Sequence, residues 1–396
     1  MLIAMMVMGL GGSLHDRSAC LFEDGRLTVA IENERLSRVR YGVDHDLLTR
    51  CFDRGSFRPL FIAQARAGTT PEVRYVLGER RPALVAHQLQ RLPSLWRFGD
   101  VRLTDQLFRT RSVRSHHFAH AASAFLVSPF EEAVTVVIDA FGSLNRRQRD
   151  STESTSVWHG RGTDLRLIRR WYSRRVPRHG PAGSRPAPHE CTSLGVFYSD
   201  VTIACGFRVL DAGKTMGLAP WGDRRYVAAM RSFVNLADDG SVQIDPGYVG
   251  WLSERERELA GLTDQAQRDQ VTAALALAAQ ECLEEAVLHV VRWALANVPS
   301  ARLCLAGGVA LNAVANRRIL VETDVDGLFV QPAANDAGIG IGAAAWHYLR
   351  ATRQERSWVM QSAFGGRPYE ERAIVAALDG AGLSLSLIHI SEPTRP

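Results

Sequence analysis

Two hydrophobic rhythms alternate along this chain. Met6-Val7-Met8-Gly9-Leu10-Gly11-Gly12 is an apolar run that enters glycines, the pattern of a core strand and a turn. Ala19 to Phe22 and Leu27 to Ile31 flank Glu23-Asp24-Gly25-Arg26, which predicts a hairpin. Helical stretches extend this first lobe to about Phe125, and Ser128-Pro129 stops the last of them. A second lobe opens at Ala133 with a strand-type run ending in Ile138-Asp139, followed by Ala140-Phe141-Gly142. Thr155 to Trp158 and Leu165 to Ile168 read as its next strands. From Ser193 to Cys205 the period becomes helical, with Gly206 as a C-terminal stop. Gln265 to Asn297 is a long amphipathic helix whose apolar positions (Val271, Leu275, Leu277, Leu283, Val287, Val290, Val291, Leu295) suit burial against a sheet. Leu303-Cys304-Leu305 is a strand, Ala306-Gly307-Gly308 a loop, and Val309 a helix start. Gly338, Gly340 and Gly342 lie in a helical run to Leu349, where they let another backbone or a ligand come close.

These elements predict an α/β protein of two mixed lobes, the second a structural echo of the first. Strand-to-glycine turns from both face a shared cleft suited to a nucleotide or phosphate. The first lobe takes residues 1–127 and the second 128–355. Phe364 to Tyr369 has the character of a linker, and Glu370 to Ala381 begins a helix, so 356–384 reads as a linker and the start of a further domain. Leu385 to Arg395 resembles a translated sequencing-library adaptor, so 385–396 is expected to be an artefact, with the native frame ending near Ser384 and a downstream domain missing.

Composition narrows the classes. A net charge of +5 over 396 residues gives no sign of a dedicated nucleic-acid surface. No apolar stretch approaches a membrane span, and the start has neither basic leader nor cleavage pattern. Six scattered cysteines (Cys20, Cys51, Cys191, Cys205, Cys282, Cys304) without a Cys-x-x-Cys argue for a reducing, cytoplasmic setting. The arginines between Arg169 and Arg185 read as a solvated loop. Of 47 basic residues only Lys214 is lysine, which is either chance survival or a place where a compact ammonium is needed beside a phosphate or reacting carbonyl.

The sharpest chemical signal is Ser115-His116-His117-Phe118-Ala119-His120. On a helix, His116 and His120 share one face, with Cβ atoms about 5–6 Å apart, a spacing that can grip a metal ion. Asp139 follows a buried strand, and Asp336 stands after Leu328-Phe329-Val330 at what reads as a second strand end. Two imidazoles and two carboxylates make a mixed nitrogen/oxygen site with open positions.

Four blocks then stand in order: Leu14-His15-Asp16-Arg17-Ser18-Ala19 with Glu32 to Arg38; His116 to Ala121 with Ile138-Asp139; Ser193 to Tyr198 with Gly213-Lys214-Thr215-Met216-Gly217-Leu218-Ala219-Pro220; and Ala306 to Asn312 with Asn335-Asp336-Ala337-Gly338. Together, from about residue 7 to 384, they resemble the O-carbamoyltransferases of antibiotic and nodulation-factor biosynthesis. The resemblance implies two RNase H-like lobes of the actin and sugar-kinase superfamily with a nucleotide and metal cleft between them. It implies a C-terminal domain that makes carbamoyl-adenylate from carbamoyl phosphate and ATP, and an N-terminal domain that moves the carbamoyl group to a hydroxyl of a sugar-like or antibiotic-like acceptor.

By the same resemblance, His116, His120, Asp139 and Asp336 hold a divalent metal (iron, manganese or zinc), which binds the adenylate phosphate. Gly307, Gly308, Asn312 and Gly338 approach the nucleotide, and Lys214 steadies that side of the cleft. His15 is the candidate base for the acceptor hydroxyl, or else it bonds the neighbouring turn. Glu34, Arg35 and Arg38 form a charged element, either an ion-pair cluster or catalytic. The implied partners are small molecules, with no nucleic acid or membrane, and a homodimer is compatible. The chain departs from the family's usual pattern at Arg40, where lysine is common, at Ser143, where an acidic residue is common, and in a longer polar stretch from Arg174 to Pro188. Two other readings are a nucleotide-binding fragment without complete activity and a kinase or ATPase of the same superfamily; the His-x-x-x-His pair speaks against the kinase.

Overall fold

The computed structural model describes residues 5–12, 15–40, 72–77, 111–112, 115–145, 147, 151–174, 193–365 and 369–383. Cys51, Cys191, the polar stretch beyond Arg174 and the adaptor-like tail lie outside the described residues.

The first sheet holds β1 (Met5–Gly11), β2 (Ser18–Glu23), β3 (Arg26–Glu32), β4 (Glu72–Leu77) and β5 (Arg111–Ser112) in the order β3-β2-β1-β4-β5. The second holds β6 (Glu132–Ile138), β7 (Ser151–Arg161), β8 (Asp164–Arg174), β11 (Arg302–Ala306) and β12 (Gly327–Val330), with β9 (Val234–Leu236) and β10 (Val242–Ile244) forming a separate hairpin. Its order is β8-β7-β6-β11-β12, the same path as the first. In each sheet the first three strands in chain order are antiparallel neighbours, and the fourth and fifth add in parallel beside the first. The repeat expected from the pattern of glycine turns is therefore a repeat of topology, and it defines two RNase H-like lobes. The hairpin between β2 and β3 turns at Asp24 and Gly25, both at positive φ, which a Gly-containing turn supplies at low cost.

The described helices are α1 (Asn33–Ser37), α2 (His116–Phe125), α3 (Leu194–Ala204), α4 (Ala212–Leu218), α5 (Val227–Arg231), α6 (Tyr248–Gly261), α7 (Gln265–Asn297), α8 (Ala313–Glu322), α9 (Ile339–Thr352) and α10 (Glu371–Gly380). A boundary near residue 127 separates the two sheets, but helices cross it. Helix α2 packs on β6, β7 and β11 of the second sheet, and α9 packs on β1, β2 and β4 of the first. The two helices also pack on each other, so the layers run sheet, helix, helix, sheet. Small residues make this approach feasible. A Cβ on Gly342 would sit 2.1 Å from the Ala119 carbonyl oxygen and 2.4 Å from the Ser123 nitrogen, so α2 and α9 meet backbone to backbone. A Cβ on Gly9 would fall 2.0 Å from the Gly340 carbonyl oxygen, so β1 and α9 do the same. All ten residues of α2 are buried by this sandwich.

Helix α7 spans the residues its periodicity marks, with Asp264 capping its start through a bond from the Ala266 N–H. Its buried face meets α3, α4, α5 and α8 more extensively than β6 or β9, so helices rather than a sheet supply most of its cover. One other expectation is corrected, and the first part of the stretch read as a linker makes fixed contacts. Arg169, Arg170 and Arg174 lie on strand β8, where Arg169 pairs with Asp239 and Arg170 with the buried Glu153; they are not part of a loop. The stretch read as a linker is a strap up to Gly365: Arg356 Nη1 donates to the Phe125 carbonyl at 2.6 Å, the Met360 N–H to Val127, and the Gly365 carbonyl accepts from Ala30. The fixed guanidinium fork can satisfy helix-end carbonyls where a plain linker would leave them orphaned. No helix among the described residues is long and apolar enough to cross a membrane.

Candidate metal centre

Ser115 begins α2 with its side-chain oxygen accepting from the Phe118 N–H, a cap of ordinary type. That start puts His116 and His120 one turn apart, with both Nε2 atoms toward Asp139 and Asp336. Asp139 follows β6 directly. Asp336 does not stand at a strand end as the sequence suggested; it is in the 3-10 turn Asp336–Gly338 that opens α9, beyond the end of β12 at Val330.

The four side chains converge. His116 Nε2 lies 3.0 Å from His120 Nε2, 3.2 Å from Asp139 Oδ2 and 3.3 Å from Asp336 Oδ1. His120 Nε2 lies 3.3 Å from Asp139 Oδ2 and 3.5 Å from Asp336 Oδ1. All four ligand atoms are within 4.8 Å of one another, and all four residues are buried. Donors held about 2.0–2.2 Å from a shared cation stand roughly 3.0–3.5 Å apart, so the spacing and the donor set fit a divalent ion.

The charges of the four groups offset one another. Burial pushes Asp139 up, but His116 and His120 outweigh it and hold the carboxyl well below the usual range; Asp336 is lowered by the same opposition. Burial pulls His120 down, yet bonds to Asp139 and Asp336 leave it raised above the ordinary imidazole value. Without a cation, protons must occupy the space between these groups.

Glycines orient the ligands. Asp139 Oδ1 accepts from the N–H groups of Ala140 at 2.9 Å and Gly308 at 3.1 Å, which leaves Oδ2 facing the imidazoles. Gly307 sits at φ +90, and a Cβ there would fall 2.2 Å from the Ile138 carbonyl oxygen. Its N–H donates to the Ala334 carbonyl at 2.8 Å, tying the Asp139 strand to the loop that carries Asp336. The N–H groups of Gly307 and Gly308, expected to face a nucleotide, are thus engaged within the chain. Gly338 helps close the same turn through its N–H to the Asn335 carbonyl. Asn312 is buried; it caps α8 at Ala315 and exchanges two hydrogen bonds with Gln280, at 2.9 and 3.0 Å. Lys214 lies on α4, half exposed, with its ammonium 2.9 Å from Asp211 Oδ2 and 5.5 Å from the Phe207 ring centre. Arg40 pairs with the other oxygen of Asp211 at 3.1 Å. Neither partner of Lys214 belongs to the cation cluster.

His15 is partly exposed at the edge of the cluster. Its Nδ1 lies 3.0 Å from Asp16 Oδ2, an oxygen that also accepts from Asn335 Nδ2 at 2.8 Å. The bond to Asp16 is the main cause of its rise to about 9; burial opposes, and the charges of Asp336, Asp16 and Asp139 add to the rise. Asp16 and Asn335 were not singled out by sequence reasoning, although each is the neighbour of a residue that was. Ser143, the departure from the usual acidic residue, accepts from the His116 N–H at 2.9 Å. Arg35 pairs with the adjacent Glu34 at 3.2 Å, and Arg38 caps α1 in the left-handed region.

The chain thus combines a two-lobed RNase H-like body with a clustered pair of histidines and pair of aspartates whose donor atoms could hold a metal ion. The family model for the carbamoyltransferase N-terminus matches residues 85–345, and the chain belongs to that family. Nodulation protein NolNO of Sinorhizobium fredii is 30% identical over 366 residues, covering 86% of this chain and 49% of that protein. Nodulation protein NolO of Bradyrhizobium diazoefficiens is 34% identical over 233 residues, covering 58% and 37%. Among solved structures, full-length HypF in a phosphate- and nucleotide-bound form shares the fold at 12% identity with a TM-score of 0.50, covering 91% of this chain and 56% of that one. The chain spans about half the length of the curated relatives it matches.

Proposed function

We propose that this chain is the transferase portion of an O-carbamoyltransferase, taking the carbamoyl group of carbamoyl-adenylate to a hydroxyl of a sugar-like or antibiotic-like acceptor. The carrying observation is the convergence of His116, His120, Asp139 and Asp336 on one point. A divalent ion held there would supply Lewis-acid charge stabilisation beside the departing phosphate. In the reaction the acceptor oxygen bonds to the carbamoyl carbon, the bond from that carbon to the phosphate oxygen breaks, and AMP leaves with the electron pair. The hydroxyl proton passes to a base.

His15 is the base this reading favours, and its surroundings set the condition. Bonded to Asp16 and drawn further by the charges of Asp336 and Asp139, it carries its own proton at neutral pH. Neutralising Asp139 and Asp336 removes part of that pull and brings the imidazole toward a range where it can accept a proton. Asp16 and Asn335 fix its orientation. The Lys214–Asp211–Arg40 group lies where a half-exposed cation pair could meet an anionic substrate.

The test is to supply preformed carbamoyl-adenylate with a panel of amino-sugar and sugar acceptors. Metal-dependent AMP release with an acceptor heavier by one carbamoyl group supports the reading. Phosphorylated acceptor from ATP would replace it with the kinase reading.

A further inference from the structure

The first turn of a helix leaves its leading N–H groups without intrahelical partners. In α2 each receives an acceptor from a different place. The His116 N–H goes to Ser143 Oγ at 2.9 Å, the His117 N–H to Glu153 Oε2 at 3.4 Å, and the Phe118 N–H to Ser115 Oγ at 3.1 Å. Glu153 is the member that reaches furthest. The same Oε2 accepts the Ser143 N–H at 3.1 Å, its backbone carbonyl accepts from Gly142 at 2.7 Å, and its own N–H donates to the Ser143 carbonyl at 3.0 Å. Its Oε1 lies 2.8 Å from Arg170 Nε as an ion pair without hydrogen-bond geometry, and the side chain is only 1% exposed. The carboxylate therefore joins the turn carrying His116 to the loop that follows Asp139, while touching none of the four ligand atoms.

We propose that Glu153 is a positioning residue for the cation site: it sets the rotation of the first turn of α2 relative to the Asp139 loop, and so the meeting of His116 with Asp139. Nothing in this role needs the carboxylate to titrate. A negative group at a helix N-terminus is also favoured by the helix dipole. Loss of a supporting partner behind a metal ligand commonly weakens metal affinity about 10–100-fold. The inference rests on the metal reading above, and its test separates the two.

The experiment measures affinity for manganese and zinc by competition with a chromogenic chelator, beside the melting temperature of the metal-free protein. The proteins are the wild type, Glu153→Ala, Glu153→Gln and Tyr198→Phe. The last removes a buried hydrogen bond from Tyr198 to Gln280, away from the cluster, and controls for general loosening. Glu153→Ala is expected to bind about 10–100-fold more weakly, Glu153→Gln to recover most of that because its carbonyl oxygen can still accept both N–H groups, and Tyr198→Phe to bind as the wild type. Glu153→Ala with wild-type affinity at a lowered melting temperature would show a merely structural residue and overturn the inference, as would a Gln variant no better than Ala. A wild type that binds neither metal would remove the metal reading and this inference with it.

Discussion

The Gly308 N–H meets Asp139 Oδ1 at 3.1 Å, and that bond divides the carboxylate into an oxygen held by backbone and one turned to the imidazoles. Oδ1 is committed to backbone, so only Oδ2 faces His116 and His120. Asp139→Asn keeps an oxygen for Ala140 and Gly308 but turns an amide nitrogen toward the cation. Metal affinity should fall by more than about 100-fold, beyond the cost of losing a supporting hydrogen bond, while the melting temperature of the metal-free protein changes little. Chelator competition and thermal melts read both.

The metal-free cluster should be most stable in mild acid. His120 is raised above its ordinary 6.5, so its contribution is complete below 6.5 and is lost as pH climbs through the folded value. Asp139 and Asp336 are lowered from 3.8, so theirs is complete above that value and is lost only as pH falls through their folded values. His15, raised to about 9, adds in the same direction as His120. The metal-free melting temperature should therefore decline from pH 6 to pH 9, and added metal should stabilise more at the alkaline end because fewer protons must be displaced. A metal increment that shrinks with rising pH would count against the cluster.

Asp16 should control the protonation of His15. In Asp16→Asn the main cause of the raised imidazole, its bond to the carboxylate, is weakened, and the pKa should move down from about 9 toward the ordinary 6.5. An NMR titration of the ring protons in metal-free protein measures it. An unmoved midpoint would mean that Asp336 and Asp139 dominate instead.

Gly342 should reverse the usual helix rule. An exposed Gly→Ala in a helix gains about 1 kcal/mol. Here the new methyl would meet the Ala119 carbonyl and the Ser123 nitrogen of α2, so Gly342→Ala should lose about 1–3 kcal/mol in urea unfolding. A stabilised variant would show that α2 and α9 do not meet in this way.

The legible parts of the sequence were those written in local pattern. β1, the β2–β3 hairpin, β6, α3 and α7 follow from period and punctuation, because their apolar runs and turn residues are local in the chain. His116 and His120 were legible because helix geometry alone pairs them, and Asp139 because it ends a buried strand. The exchange of α2 and α9 between lobes was not, since which sheet a helix covers depends on residues hundreds of positions away. The commitments of Asn312 to Gln280 and of Gly308 to Asp139 were hidden for the same reason. So was Glu153, an acidic residue in a polar strand with no local sign that its carboxylate turns inward against α2.

The most direct measurement is the metal content of purified wild type and of His116→Ala/His120→Ala, each loaded with excess metal, desalted and read by mass spectrometry of the elements. A bound cation at this cluster means close to one divalent ion per chain in the wild type and background in the double variant. Equal content in the two would contradict it.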